Sequence, residues 1–238
     1  MFDKIKRAVK RGVSNAVDDE VDRQVDRQVD KATYKVQSEI DESVDGVVDK
    51  SYEGVRTSAM RSAKMTKSKT ITGSIITDFK KFNDAWEKNA GDPAQSVFYF
   101  AIAAYNYSVK DVDIGDAMAT VVLSKKHNEK ADFSPSGLKL GPTNRSLFKH
   151  MREDPNIAKS YLGANYKNDY KFDEKKLTML VLTVTSDEKE ANVIIQSGGK
   201  DFPTPIPLAK NKNGQWKITE FSSFATGVRK ASSVEEDF

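Results

Sequence analysis

The chain has 238 residues, of which 31% are charged, with a formal net charge of +3 and no cysteine. The lack of cysteine excludes disulfides, thiolate metal sites and a cysteine nucleophile, and it fits a reducing compartment. The longest apolar run, Val97 to Tyr105, is too short to cross a bilayer. The basic start of the chain is not followed by the long apolar run of a signal peptide. We therefore expect a cytoplasmic protein, either free or peripheral to the inner face of the membrane.

Residues 1–65 are predicted to form one long, charged amphipathic helix with a narrow apolar stripe. Valines recur every four residues from Val13 to Val29, and the spacing then relaxes toward eleven residues. A period near 3.67 keeps a stripe almost straight along a helix and differs from the heptad of a left-handed coiled coil. So narrow a stripe does not stabilise a lone helix, and it predicts self-association or docking on another surface. The residues assigned to self-association are Val17, Val21, Val25, Val29, Val36, Ile40, Val44 and Val47.

The first turns of this helix have the features of a membrane-binding or partner-binding tip. Five cations and one acid give residues 1–11 a net charge of +4, and the cations flank the apolar stripe. That arrangement is typical of an interfacial helix on anionic lipid, and packing on another helix is the alternative. Residues 18–30 have a net charge of −4, which argues against nucleic acid as a partner. The tip residues are Phe2, Lys4, Ile5, Lys6, Arg7, Val9, Lys10, Arg11 and Val13.

A compact domain is expected over residues 74–229, after a hinge at residues 66–73 in which threonines and a glycine oppose helix formation. Its first helix is expected to start at Ser74. The second starts at Asp92-Pro93, a cap followed by proline at the first helical position, and runs to about Tyr107. This second helix is apolar nearly all round, which predicts the buried centre of the domain.

A third helix is expected from about Val112 to Leu123. Three acids, Asp111, Asp113 and Asp116, lie near its start, where the helix dipole favours them; cation binding is the alternative. A long polar loop is expected from His127 to Pro142. After it we expect a short helix at about 144–152, capped by Thr143, and a turn that ends near Gly163.

The rest of the domain changes to the period of β-strands. Asn213-Gly214 is a strong hairpin signal, and prolines mark one strand as an edge or a bulge. Helices followed by a meander of antiparallel strands define an α+β fold. The expected strands are Leu177–Val184, Ala191–Gln196, Pro205–Ala209 and Gln215–Phe221.

The segment IIQSGGKDFPTPIPLAKNKNGQWKITEFSSFATGVR carries a pattern of S-G-G-x-D-x-P, then G-x-W, E-F-S-S and G-V-R. With DPAQSVFYFAIAAYNY and SYLGA, it resembles an uncharacterised bacterial family of small α+β domains over roughly residues 90–229. The resemblance implies a fold and brings no activity with it. Thr204 stands where that pattern often has arginine. The order of elements is also similar to nuclear-transport-factor-like cone folds, which often hold a pocket between helix and sheet.

No catalytic or metal motif stands out in the sequence. His127 in a loop and His150 on a short helix each lack a second ligand at metal spacing, so both are assigned surface or structural roles. The segment 197–200 (SGGK) is interpreted as a turn, because no helix follows it to make a phosphate loop. We therefore expect no catalytic residues, no metal and no cofactor.

The C-terminal part offers weaker candidates. Residues 220–223 (EFSS) either place polar groups at a pocket mouth or end a strand, and Arg229 either docks the tail by an ion pair or binds an anion. Residues 230–238 are predicted to be an acidic flexible tail ending VEEDF. Such a tail is either a peptide for a basic, apolar pocket on a partner or disorder without function.

Together these features favour a non-enzymatic scaffold or adaptor that self-associates or docks through its N-terminal helix, with the membrane surface as a second location. Its expected partners are further copies of itself, a protein assembly or anionic lipid. Two alternatives stay open: a small-ligand-binding or enzymatic cone-fold domain, and an accessory component of a phage or secretion assembly.

Overall fold

The computed structural model describes residues 64–66 and 68–235. The helix predicted for residues 1–65, with its basic tip and valine stripe, lies outside these residues except at Lys64 and Met65, and those two belong to a strand. The last three residues of the predicted acidic tail also lie outside. In the part of the chain that is described, helices are followed by a curled antiparallel sheet, so the predicted α+β fold is confirmed.

A small hairpin and a larger sheet contain the strands. The hairpin pairs β3 (Asn128–Lys130) with β4 (Leu138–Leu140). The larger sheet contains β1 (Lys64–Thr66), β2 (Lys69–Gly73), β5 (Leu177–Ser186), β6 (Glu190–Gln196), β7 (Thr204–Lys210) and β8 (Trp216–Ile218). Its order is β1-β5-β6-β7-β8, with β2 also paired to β5, and all its strand pairs are antiparallel. The four predicted strands are confirmed, although the last is shorter than expected.

β1 and β2 lie along the same edge of β5 in one unbroken register. Thr66 lies opposite Val184, and Lys69 lies opposite Val181. Most of the predicted hinge, residues 66–73, is thus strand, because its β-branched residues suit a pleated surface and Ile71 is buried in the core.

The helices are α1 (Phe79–Asn89), α2 (Pro93–Tyr105), α3 (Val112–Val122), α4 (Pro142–Glu153), α5 (Asn156–Ser160) and α6 (Ser232–Glu235). The Asp92 cap and Pro93 start of α2 are confirmed. The expected start of α1 at Ser74 is wrong. Asp78 caps this helix instead, since its carboxylate accepts the Lys81 backbone N–H at 2.8 Å.

α2 continues beyond Tyr105 into a π-helix, Asn106–Lys110, before α3 begins. The tight crossing of α3 over this turn depends on Gly115. A Cβ atom at that position would lie 2.2 Å from the backbone nitrogen of Tyr107, so only glycine fits.

The long polar loop expected between His127 and Pro142 contains the β3–β4 hairpin. Asp116 of α3 holds this hairpin, because its carboxylate accepts the Leu140 backbone N–H at 2.9 Å. The next helix starts at Pro142 with Gly141 at its cap, so the predicted Thr143 cap is wrong. Proline suits a first helical position because its missing N–H has no partner there.

The core lies between α2 and the inward face of the sheet, and aromatic rings fill it. Phe100 is fully buried and contacts Phe148, Phe221 and Phe224 with ring centroids 4.9–5.8 Å apart. Tyr161 stacks on Phe224 at 4.0 Å. These tilted and edge-to-face contacts are the geometry that aromatic pairs prefer.

We predict that Phe100→Ala lowers the free energy of unfolding by about 3–5 kcal/mol, because it opens a cavity at the centre of this cluster. Denaturant unfolding followed by circular dichroism measures the change. The control is Phe133→Ala, since the Phe133 side chain is 84% exposed and should change stability by less than about 0.5 kcal/mol. Equal effects of the two substitutions would contradict this description of the core.

Candidate functional site

An open cleft of about 320 Å³ lies where β6 turns into β7 and the chain after β8 returns. It is lined by residues 199–204 and by Ser223, Thr226, Gly227 and Arg229. These positions come from the S-G-G-x-D-x-P, E-F-S-S and G-V-R segments of the sequence pattern. The fold therefore brings three separated parts of that pattern together at one place.

The turn at the base of the cleft is held by buried hydroxyl groups. Ser197 Oγ donates to Ser160 Oγ at 2.7 Å, and the Gly198 N–H donates to the Ser160 carbonyl at 2.8 Å. A Cβ at Gly198 would lie 2.1 Å from the Ala164 oxygen, and one at Gly199 would lie 2.4 Å from the Tyr170 hydroxyl. The two glycines are thus required by close packing, and the interpretation of this segment as a turn is confirmed.

Lys200 lies on the wall of the cleft with its ammonium turned into the protein. Its Nζ donates to the Ser223 carbonyl at 2.8 Å, to the Phe224 carbonyl at 3.1 Å and to Thr226 Oγ1 at 2.7 Å. It also lies 5.2 Å from the centroid of the Tyr161 ring. Burial lowers the pKa of Lys200 to about 8. Because three acceptors use all its protons, Lys200 fastens the returning chain to the turn.

Arg229 closes the opposite side of the cleft. Its guanidinium lies 2.5 Å from the Asp201 carboxylate and donates to the Tyr166 hydroxyl at 3.2 Å. Its backbone N–H donates to the Gly199 carbonyl at 2.9 Å, and its carbonyl accepts from the Tyr170 hydroxyl at 2.6 Å. The predicted ion pair of Arg229 is therefore present, and it docks the start of the tail on the turn.

The outer lip of the cleft is apolar. The Phe202 side chain is 82% exposed beside the half-buried Pro203. Thr204, which stands where the pattern often has arginine, is buried and bonded to the Tyr161 hydroxyl at 2.8 Å. The Phe202 ring is thus exposed beside a polar wall whose groups are hydrogen-bonded to one another. A surface of this kind is suited to contact with another macromolecule.

Neither of the two histidines lines this cleft. His150 is exposed on α4, 3.9 Å from the Glu153 carboxylate, and His127 lies in the 3₁₀ turn Lys125–His127. Residues 220–223 follow the end of β8 and lead into a turn, where the Glu220 carboxylate accepts the Ser222 backbone N–H at 2.5 Å, and they contribute Ser223 to the cleft.

The three acids near the start of α3 have structural partners. Asp111 caps the helix by accepting the Ile114 N–H at 2.9 Å, and Asp116 holds Leu140. Burial raises the pKa of Asp116, while its bond to the Leu140 N–H opposes the rise. Within residues 68–235 and the short strand before them, no group of three or more His, Cys, Asp or Glu side chains is placed to hold a metal ion.

Sequence reasoning missed Lys217 on β8. Its Nζ donates to the Val121 carbonyl and lies 3.8 Å from the centroid of the Trp86 ring. Burial lowers the pKa of Lys217 to about 8, and the nearby positive charge of Lys125 adds to the effect. On β8, Lys217 stands between two buried residues, and in a sequence this alternation is the pattern of an exposed lysine. Nothing in the sequence therefore distinguishes Lys217 from a surface lysine.

A family model described as "Domain of unknown function (DUF6935)" matches residues 74–232, more than half of the chain. The protein therefore belongs to this family, which confirms the expected likeness to an uncharacterised family. Searches of curated proteins and of solved structures found no match. None of the helices in the described part of the chain is long and apolar enough to span a membrane.

We predict that Gly198→Ala lowers the free energy of unfolding by about 3 kcal/mol, because the added methyl group collides with the backbone at Ala164. Gly91→Ala is the matched control, since a Cβ at Gly91 meets no atom within 4 Å. Thermal denaturation of both variants measures the difference. If the two melt at the same temperature, close packing does not explain the glycine turn.

We predict that stability rises with pH between about 8 and 10. The folded protein releases protons from Lys200 and Lys217 near pH 8, whereas the unfolded chain keeps them until the ordinary lysine pKa of 10.5. The unfolded state therefore binds more protons in this window, and raising the pH favours the folded state. Melting temperatures across the window measure the slope, and the Lys200→Met/Lys217→Met variant should flatten it. An equal slope in both proteins would show that other groups are responsible.

Proposed function

We propose that this protein is a non-enzymatic adaptor that self-associates through its N-terminal segment and presents the α+β domain as a binding module. The proposal joins two features. The valine stripe of residues 17–47 needs a partner surface to be stable as a helix. The domain has a cleft and an exposed aromatic ring, Phe202, on its surface.

The observation that carries the binding-module role is the filling of the domain interior. A cone-fold enzyme or small-ligand binder would need an internal cavity between helix and sheet. Here Phe100, Phe148, Phe221 and Phe224 occupy that space, in mutual ring contact and fully or almost fully buried. This packing favours recognition at the surface, and the cleft with the exposed Phe202 ring is the site we assign to a protein partner.

The start of the domain supports the adaptor role. β1 and β2 follow the N-terminal segment and are both hydrogen-bonded along β5. The domain is therefore held in the sheet from Lys64 onward, so that a partner bound to the preceding segment would be linked to the sheet through a strand.

We predict that replacing Val21, Val25 and Val29 with aspartate lowers the native mass of the full chain, because three carboxylates in the stripe prevent its burial. Size-exclusion chromatography with light scattering measures the mass. The control replaces Asp22, Asp26 and Asp30 with asparagine, which changes charge without touching the stripe. Unchanged mass in the valine variant would contradict self-association through this stripe.

Flotation of the full chain with phosphatidylserine vesicles tests the membrane as a second location. If the basic tip binds lipid, the protein should float at low salt and be released at high salt, because exposed charge pairs are screened. Protein that stays at the bottom of the gradient would remove the membrane from the proposal and leave self-association unaffected.

A further inference from the structure

The turn at residues 165–170, beside the cleft, contains two non-glycine residues in the left-handed region of backbone conformation. Asp169 has a φ of 56° and Tyr170 has a φ of 55°. Aspartate tolerates this conformation, whereas a bulky residue such as tyrosine is strained in it. Strain of this kind persists only where the surrounding structure fixes it, and it is concentrated at sites that clamp a ligand. In this domain the two residues hold the C-terminal segment.

Residues 229–233, which we call the strap, lie across this turn. The Tyr170 hydroxyl donates to the Arg229 carbonyl at 2.6 Å. Four residues further on, the Ser233 backbone N–H donates to the Asp169 carboxylate at 3.1 Å. Each of the two left-handed residues thus contributes a side-chain hydrogen bond to the backbone of the strap, one near its start and one at its end.

The side chain of Arg229 lies among groups that are suited to a guanidinium. It is 2.5 Å from the Asp201 carboxylate, donates to the Tyr166 hydroxyl at 3.2 Å and lies 5.1 Å from the centroid of the Tyr166 ring. A carboxylate together with an aromatic face is a combination that favours arginine. The N–H of the same residue donates to the Gly199 carbonyl at 2.9 Å. Main-chain hydrogen bonds combined with a side-chain pocket are the means by which proteins recognise extended segments.

The strap lies at the surface and buries little area. Arg229, Lys230 and Ser233 are exposed, and the other two residues of the strap are half-buried. The side chains of the ion pair are also accessible, at 45% for Arg229 and 59% for Asp201. Ion pairs in water contribute little to stability, and segments with few buried apolar contacts open without global unfolding. We therefore expect the strap to leave the turn while the rest of the domain stays folded.

We propose that the turn and the adjoining edge of the cleft bind an extended, arginine-bearing segment of a partner protein, and that the strap occupies this site until such a segment displaces it. The inference rests on the proposed role of the cleft as a protein-binding site, and it adds the chemistry of the partner and a means of control. Gly199, Asp201 and Arg229 also line the cleft, so the strap borders the site assigned to the partner.

The strap competes with any free segment because it belongs to the same chain. Its effective concentration at the site is on the order of millimolar. A free peptide that makes the same contacts, with a Kd of about 50 µM at the empty site, therefore binds roughly 20-fold more weakly while the strap is present. Release of the strap should restore most of this affinity.

Peptide binding by full-length variants tests this. The probe is a fluorescent peptide with the sequence of residues 229–235, blocked at both ends, and fluorescence anisotropy measures its Kd. In the release variant, Arg229→Glu/Ser233→Pro, a second carboxylate lies beside Asp201, and the N–H that Asp169 accepts is lost. We expect this variant to bind the peptide about tenfold more tightly than the wild-type chain does.

Two further chains serve as controls. Lys230→Glu makes the same change of charge one position along the chain, at an exposed residue, and should bind the peptide as weakly as the wild-type chain. Asp201→Asn, added to the release variant, removes the carboxylate that receives the arginine of the peptide and should weaken binding by roughly two- to fivefold. Circular dichroism and melting temperature establish that each variant is folded.

Equal affinity of the wild-type chain and the release variant for the peptide would overturn the inference. So would a release variant that binds equally well a peptide with glutamate in place of its arginine. Light scattering on the wild-type chain tests self-association separately. If that chain is an oligomer and its release variant binds no peptide, self-association stands and this site is wrong. If the chain is a monomer, the adaptor proposal fails whatever the peptide does.

Discussion

The burial of α2 on all sides is the constraint on which the rest of the domain depends. Its sequence is apolar nearly all round, and eleven of its thirteen residues, from Ala94 and from Ser96 through Tyr105, are buried. α1, α3, α5 and the strands β5, β6 and β8 surround it. Two polar side chains at this centre donate to backbone carbonyls: the Ser96 hydroxyl donates to the Trp216 carbonyl at 2.9 Å, and the Asn106 amide nitrogen donates to the Ile76 and Ile102 carbonyls. A helix of this composition is stable only inside such an enclosure.

The same core determines where the domain can bind. Phe221 and Phe224 extend the aromatic cluster to the chain that returns after β8, and the Phe224 carbonyl accepts a hydrogen bond from Lys200. The wall of the cleft is therefore the outer side of the core, and the interior behind it is filled. In the described domain, accessible surface with a recognisable composition is present at the cleft lip, where the Phe202 ring is exposed.

The sequence was sufficient where local chemistry decided the structure, and insufficient where distant contacts did. The Asp92-Pro93 helix start, the Asn213-Gly214 hairpin and the four C-terminal strands followed from caps, turn residues and periodicity. The start of α1 shifted because the Ile75 N–H bonds the Glu174 carbonyl, 99 positions away in the chain, and holds residues before Asp78 extended. The cleft could not be predicted from the sequence, because the three segments that line it come together only in the fold. The Arg229 ion pair, in contrast, was predicted. Buried Lys217 carried no local signal.

Self-association of the whole chain is the claim on which the functional account rests. Sedimentation velocity of the full chain over a hundredfold range of concentration tests it most directly. The account predicts a mass that rises above the 26.5 kDa of one chain as the concentration increases, because it proposes that the valine stripe packs against another copy. A single species of 26.5 kDa at every concentration would contradict the account and turn attention to partners of different sequence.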